Sequence, residues 1–230
     1  MFFSDRGHAG RMLAERLPSF DRASTVVITP PRGGLPVARE IALAFSLPFD
    51  VVLVRRVAVP GREDVALGVV SDGRELRLSF TRDSIERLGL DAERRAALTH
   101  RTLSELGRRY KTYVADHPPV RVTGKTAVVV DDGAVTGATL RAVLHVLREQ
   151  AVRRVVLALP IAPAHVLAEF ERLVDDIVCL DTPFHFDGVG VHYAAFDPVS
   201  DLDVRLILAE MHGRADLGEE PATLPRALRR

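Results

Sequence analysis

The sequence has almost no cysteine, no net charge and no long apolar run. Its single cysteine, Cys179, excludes an internal disulfide and any metal site built from several cysteines; within the apolar run DIVCL we expect a small buried side chain. The 31 basic and 31 acidic side chains cancel, so a nucleic-acid partner is not expected. No stretch has the length of a membrane-spanning helix, and charges interrupt the opening MFFSDRGHAGR where a secretory signal would be apolar. We therefore expect a cytoplasmic protein with no membrane partner.

Strand-like and helix-like patterns alternate along the 230 residues. Apolar, β-branched runs predict strands at 24–29, 49–59, 125–132, 153–161 and 176–180. Helical spacing of apolar residues predicts helices at 5–17, 37–45, 138–149 and 163–173. This alternation predicts an α/β fold, with a central, mainly parallel β-sheet flanked by helices on both faces.

Three segments depart from that alternation. Asp72-Gly73, between two alternating segments, predicts a hairpin turn. Residues 83–116 are charged and helical in pattern and form an insert, whereas residues 213–230 are polar and weakly patterned, which is typical of a flexible tail. One domain is therefore predicted over residues 1–212.

The most informative stretch is VVVDDGAVTGATL, residues 128–140. Its T-G-A-T portion, residues 136–139, places small residues where a strand turns into a helix. Backbone N–H groups are unobstructed there, and the helix dipole adds positive potential. The segment has neither the lysine of a nucleotide P-loop nor the pattern G-x-G-x-x-G, so a monophosphate fits this phosphate cradle better than a longer phosphate chain.

Two carboxylates, Asp131 and Asp132, stand just before the phosphate cradle. They would repel the phosphate itself, so we expect this acidic pair to face whatever the phosphate is attached to. Sugar hydroxyls or a hydrated Mg²⁺ would both suit carboxylates, and a 5-phosphorylated ribose spans the distance. The alternative is an acidic pair that only caps the following helix.

VVVDDGAVTGATL resembles the phosphoribosyl pyrophosphate (PRPP) signature of the type I phosphoribosyltransferases. The resemblance implies the fold of that family, with a smaller hood region built here from 1–20 and 182–212. It also implies that Asp131 and Asp132 bind the ribose hydroxyls and Mg²⁺. The PRPP-binding segment would continue through Gly133, Ala134, Val135, Thr136, Gly137, Ala138 and Thr139.

A second loop, PPRGGLPVA at 30–38, resembles the pyrophosphate loop of the same family. Gly33 and Gly34 allow close approach of the backbone, and Arg32 supplies a charge for a pyrophosphate oxygen. Together with the PRPP signature, this loop implies a PRPP-dependent enzyme of nucleotide metabolism. It would displace pyrophosphate from the ribose anomeric carbon with a nitrogenous acceptor, with Mg²⁺ and Arg32 stabilising the leaving group.

VRRVAVPGRED, at 54–64, falls where the family has a basic residue and a loop that closes over PRPP. Arg55, Arg56 and Arg62 are the candidates, and Arg56 is the preferred catalytic residue beside Arg32. The alternative for each is a solvated basic strand end.

The acceptor is less determined. Purine salvage enzymes often have an aspartate where this chain has Val135, and a lysine where it has ALPIAPAHV, so 6-oxopurines are doubtful acceptors. Phe186 and Tyr193 lie in a segment that resembles the family's aromatic base-binding region and are the candidate acceptor-binding residues; a hydrophobic cluster beneath a loop is the alternative.

The whole pattern, from about residue 3 to 210, is most similar to uncharacterised bacterial phosphoribosyltransferase-like proteins. They share the opening F-x-D-R-x-x-A-G, the PRGG loop and the DDG-x-x-TGAT signature, and they supply no acceptor. Two other functions stay open: a non-catalytic PRPP- or nucleotide-sensing regulator, and hydrolysis or phosphorolysis of a phosphoribosyl compound. A homodimer is one option for the assembly.

Overall fold

Helices and strands alternate through the chain in this computed structural model. The structure describes residues 1–56, 66–71, 76–79, 91, 93, 107, 112–113 and 120–216, and for 55, 56, 66–71, 76–79 and 214–216 the backbone alone. The helices are α1 (Arg6–Arg16), α2 (Leu35–Phe45), α3 (Ala138–Glu149), α4 (Ala164–Phe170) and α5 (Asp201–Asp216). The strands are β1 (Thr25–Thr29), β2 (Phe49–Val51), β3 (Val54–Arg56), β4 (Ala66–Ser71), β5 (Leu76–Ser79), β6 (Thr126–Val130), β7 (Arg154–Ile161) and β8 (Asp176–Asp181).

Five of these strands form a parallel sheet in the order β2-β1-β6-β7-β8. Its inner strands β1 and β6 read TVVIT and TAVVV and are buried at every position, as expected for strands covered by helices on both faces. The remaining three strands form a separate antiparallel sheet in the order β3-β4-β5. The predicted α/β fold, with its parallel central sheet, is confirmed.

Alternate residues of the parallel strands serve two hydrophobic cores. Val27 and Val128 pack on one face, against α1, α2 and α5. Val26 and Val129 pack on the other, against α3 and α4. Because side chains alternate across a strand, each strand supplies both cores, and the chain forms a three-layer arrangement.

The predicted strand 49–59 is wrong as one element, because it divides into β2 and β3. The Val52 N–H still donates to the Thr29 carbonyl oxygen at 3.0 Å, and beyond that bond the chain leaves β1. β3 then pairs antiparallel with β4 in the other sheet. An unbroken apolar run does not reveal that its two halves have different partners.

The antiparallel pairing of β4 with β5, in which Ser71 lies opposite Leu76, confirms the predicted hairpin. Its turn, Asp72-Gly73, lies outside the described residues. The same holds for the predicted insert 83–116, apart from positions 91, 93, 107, 112 and 113.

The sequence interpretation missed α5. Ser200 and Asp203 form a capping pair at its start: the Ser200 N–H donates to Asp203 Oδ2 at 2.8 Å, and the Asp203 N–H donates to Ser200 Oγ at 3.2 Å. Val204, Leu208 and Met211 are buried at helical spacing. The helix continues to Asp216, past the predicted start of the tail at 213, and residues 217–230 lie outside the described part. Among the described helices, none is long and apolar enough to cross a membrane.

Replacing Gly10 with Ala is expected to lower the free energy of unfolding by about 1–3 kcal/mol. A Cβ on Gly10 of α1 would lie 2.6 Å from the Val37 carbonyl oxygen and 2.9 Å from Glu40 Cβ, so α1 would have to move away from α2. Gly213→Ala is the control, since a Cβ there meets no atom within 4 Å and alanine favours a helix. Urea denaturation measures both variants, and equal stability of the two would contradict the close packing.

Candidate functional site

The acidic pair lies at the carboxyl-terminal edge of the parallel sheet, directly after β6, and the loop that follows β1 lies against it. A Cβ on Gly33 would be 2.4 Å from Asp132 Oδ2, and a Cβ on Gly34 would be 3.0 Å from Asp131 Cα. The atom closest to a Cβ on Gly34 is Thr29 Oγ1, at 2.3 Å, so a side chain at either position would displace a neighbouring atom. The two predicted loops are therefore in direct contact and form one site.

The phosphate cradle lies at the N-terminus of α3. Gly137 precedes the helix with φ of 68°, and a Cβ there would lie 2.5 Å from Phe170 Cε2, so both backbone conformation and packing require glycine. The N-cap residue Gly137 has no side chain to cap this helix end, and the Ala138 N–H makes only a long contact, 3.5 Å, with Thr136 Oγ1. Its backbone N–H groups and the helix dipole can therefore bind an anion. Val135 and Thr136, which directly precede Gly137, are both exposed to solvent.

An arginine from α1 reaches the acidic pair, and the sequence interpretation missed it. Arg6 Nε donates to Asp132 Oδ2 at 2.8 Å, and Arg6 Nη1 donates to the Asp197 carbonyl oxygen at 2.8 Å. The guanidinium carbon lies 3.7 Å from the centroid of the Phe196 ring. The available signal was the opening F-x-D-R-x-x-A-G, in which Arg6 is the arginine.

Of the two predicted acceptor-binding residues, Tyr193 is buried beneath the acidic pair. Its hydroxyl donates to the Asp132 carbonyl oxygen at 2.7 Å, and its ring packs against Phe3 and Phe196. Tyr193 therefore supports the backbone of the pair. Phe186 is half-buried and its ring stacks on His192, with centroids 5.6 Å apart.

The two predicted catalytic arginines are placed differently. Arg32 lies in the loop beside the acidic pair, but its guanidinium is half-exposed and its Nη1 is 3.3 Å from Asp201 Oδ1 at the start of α5. Arg56 ends β3, and its side chain lies outside the described part of the structure. Residue 62 lies outside it entirely.

Burial controls the electrostatics of this site. Burial raises the pKa of the Asp131 carboxyl well above its ordinary value, and the neighbouring Asp132 charge raises it further. Burial also raises the pKa of Asp132, while the Arg6 guanidinium opposes that shift. The pKa of Tyr193 is raised too, mainly by burial and then by Asp132. Ionisation of both carboxyls of the acidic pair is therefore unfavourable in the ligand-free protein.

Cys179 lies away from this chemistry. It packs against the core on the α3 and α4 side, and burial raises the pKa of its thiol to about 11. Its Sγ donates to the Asp181 carbonyl oxygen at 3.2 Å. At neutral pH the thiol is therefore protonated and a poor nucleophile.

The donor set limits how a metal ion could bind. Within the described residues, no group of three or more histidine, cysteine, aspartate or glutamate side chains could hold a metal ion by itself. Two adjacent carboxylates fit Mg²⁺ that is shared with phosphate oxygens of a ligand, because Mg²⁺ commonly takes one or two protein carboxylates. The site thus suits a metal ion whose remaining ligands come from a bound phosphate compound.

Replacing Asp131 with Asn is expected to stabilise the ligand-free protein at pH 8. The pKa of Asp131 is higher in the folded state than in the unfolded chain, so wild-type stability falls as the pH rises from near 4 through the folded-state pKa. Asparagine does not ionise, and its oxygen can still accept the Asp132 N–H. Thermal unfolding in EDTA across this pH range measures the difference, which should shrink towards pH 4. Equal melting temperatures at pH 8 would contradict the prediction, and the exposed change Glu171→Gln is the control.

The chain is similar to known proteins over most of its length. The family model for the phosphoribosyl transferase domain matches residues 7–194. Two curated relatives from Mycobacterium tuberculosis strains CDC 1551 and H37Rv, provisionally named phosphoribosyl transferases, are each 39% identical over 210 residues. The match covers 91% of this chain and 47% of theirs, so the chain spans about half the length of the curated relatives it matches. A crystal structure of a protein from Thermus thermophilus is 38% identical with a TM-score of 0.76, covering 92% of this chain and 99% of that one. The chain belongs to the phosphoribosyl transferase family.

Proposed function

We propose that the chain transfers phosphoribose from PRPP to a nitrogenous acceptor and releases pyrophosphate. The observation that carries the proposal is the meeting of three features at one edge of the sheet. These are the phosphate cradle, the acidic pair and the glycine loop at 30–34, which touches that pair. PRPP carries a 5-phosphate, ribose hydroxyls and a pyrophosphate close together. The phosphate cradle suits the 5-phosphate, the acidic pair suits the hydroxyls, and the glycine loop suits the pyrophosphate.

The donor is bound mainly by backbone and by charge. The N-terminus of α3 takes the 5-phosphate, and the acidic pair accepts hydrogen bonds from the ribose hydroxyls. The Gly33–Gly34 backbone accommodates the pyrophosphate closely. Arg32 breaks its ion pair with Asp201 and binds a pyrophosphate oxygen instead. The pair with Asp201 is exposed to water, so breaking it costs little free energy.

In the proposed reaction the bond between the anomeric carbon and pyrophosphate breaks, and the electron pair leaves with pyrophosphate. The acceptor nitrogen forms the new bond to that carbon, and its displaced proton goes to water. Asp131 and Asp132 would hold Mg²⁺ together with the donor, and the ion would supply positive charge to the leaving group. The chain itself contributes orientation of the ribose, charge at Arg32 and the fixed dipoles of α3.

The acceptor in this proposal is a planar nitrogen heterocycle. Val135 is 51% exposed beside the phosphate cradle, and Phe186 lies on the hood segment above the same edge of the sheet. Apolar and aromatic surface of this kind suits a heterocycle face. Valine cannot accept a proton from the acceptor, so 6-oxopurines are expected to react poorly.

The double variant Asp131→Asn/Asp132→Asn is expected to lose PRPP binding while remaining folded. Asparagine keeps the shape of each side chain but removes the charge that holds the hydroxyls. A thermal-shift titration with PRPP should raise the melting temperature of the wild type and leave that of the double variant unchanged. Asp176→Asn is the matched control, because Asp176 pairs with Arg154 at the opposite edge of the sheet. An unchanged PRPP response in the double variant would exclude the acidic pair from the site.

Incubation with PRPP, Mg²⁺ and a panel of heterocycles is expected to release pyrophosphate with at least one member. The panel should contain 6-oxopurines, adenine, pyrimidines and smaller nitrogen heterocycles, with water alone as the control for hydrolysis. A coupled pyrophosphate assay follows the reaction. Tight PRPP binding without pyrophosphate release from any mixture would overturn the transferase proposal and favour a PRPP-sensing protein.

A further inference from the structure

Arg6 is held on three sides at the acidic pair. Its Nε bonds to the Asp132 carboxylate, its Nη1 bonds to the Asp197 carbonyl oxygen, and its guanidinium lies over the Phe196 ring. The side chains of Arg6 and Asp132 are 11% and 14% exposed. A guanidinium with two hydrogen bonds and a ring beneath it has little freedom, so its position relative to the pair is well defined.

Docking of α1 does not require this ion pair. Leu13 and Ala14 bury their side chains in the core, and Gly10 lets α1 approach α2 closely. Asp5 caps the helix by accepting the His8 N–H at 2.7 Å. Moving a guanidinium out of water costs free energy that an exposed arginine avoids. The contact is therefore better explained by what Arg6 does to Asp132.

The formal charges show that effect. Two ionised carboxylates would carry −2, and the adjacent guanidinium brings the total of the three groups to −1. With Asp131 protonated the total is zero, so in either state Arg6 cancels one negative charge at the site. A donor with two phosphorylated ends meets less repulsion from such a site than from a bare acidic pair. A free divalent cation, by contrast, would bind the bare pair more tightly. Arg6 also occupies Asp132 Oδ2, which fixes the orientation of that carboxylate.

We propose that Arg6 is a positioning residue of the donor site, an internal counter-cation that orients Asp132 and biases the acidic pair towards the anionic donor and away from free divalent metal. This inference rests on the proposed function, because the donor is PRPP. It assigns a role to the arginine of the opening motif.

The test measures two ligands separately on three variants. Mn²⁺ alone is titrated by electron paramagnetic resonance, and PRPP is titrated calorimetrically in EDTA. Arg6→Gln removes the charge and should bind Mn²⁺ about tenfold more tightly and PRPP about tenfold more weakly than the wild type. Arg6→Lys keeps the charge without the planar fork, so its Mn²⁺ affinity should stay near wild type and its PRPP affinity should fall between the two.

Arg11→Gln is the matched control. Arg11 lies on the same helix, is 58% exposed and pairs with Glu40 at 3.4 Å, so its loss should leave both affinities within about twofold. Opposite shifts for the two ligands in Arg6→Gln support the inference, because a merely structural defect weakens both together. Parallel weakening of both ligands, or behaviour like that of Arg11→Gln, overturns it. If Arg6→Gln does not fold, a Mn²⁺ affinity in Arg6→Lys about tenfold above wild type overturns it as well.

The two proposals fail in different ways. If the wild type binds no PRPP, both the proposed function and the donor part of this inference are wrong. If the wild type binds PRPP and the Arg6 variants match the control, only the role of Arg6 is wrong.

Discussion

The parallel pairing of β1 with β6 is the constraint on which the candidate site depends. Thr25 lies opposite Thr126 and Ile28 opposite Val129, so both strands end at the same level of the sheet. The glycine loop and the acidic pair therefore emerge side by side, although about 100 residues separate them in sequence. Ligands of open α/β sheets bind beyond the carboxyl ends of the strands, and this pairing creates such a position.

The same pairing brings an energetic cost. Two adjacent carboxylates leave water at the end of a buried strand, where burial opposes their ionisation. Arg6 compensates part of that cost through its ion pair, and Tyr193 fixes the backbone of Asp132. A ligand that supplies hydroxyl donors or a metal ion would compensate more. The buried carboxylates therefore lower the folding stability of the ligand-free protein, as charged groups at binding sites commonly do.

The sequence predicted most elements because their patterns are local. Helix α3 begins and ends where the apolar spacing indicates. The short run TVVIT, rich in β-branched residues, is typical of a buried strand and forms one. The division of 49–59 was not predictable, because a strand's partner depends on the rest of the sheet. Helix α5 was missed although the Ser200 and Asp203 spacing carries a capping signal, because charged residues interrupt the apolar spacing of DLDVRLILAEMHGRAD.

By itself, the sequence determined the α/β class and the family resemblance, since these depend on patterns that are local along the chain. It also indicated the acidic pair and the candidate phosphate cradle, which lie within one contiguous segment. Only the tertiary structure decided what surrounds them. Arg6 is 126 residues from Asp132 in sequence, and Tyr193 is 61 residues beyond it, so no local pattern relates them to the pair. Their roles arise because the helix and hood segments pack over the edge of the sheet, and that packing depends on the whole fold.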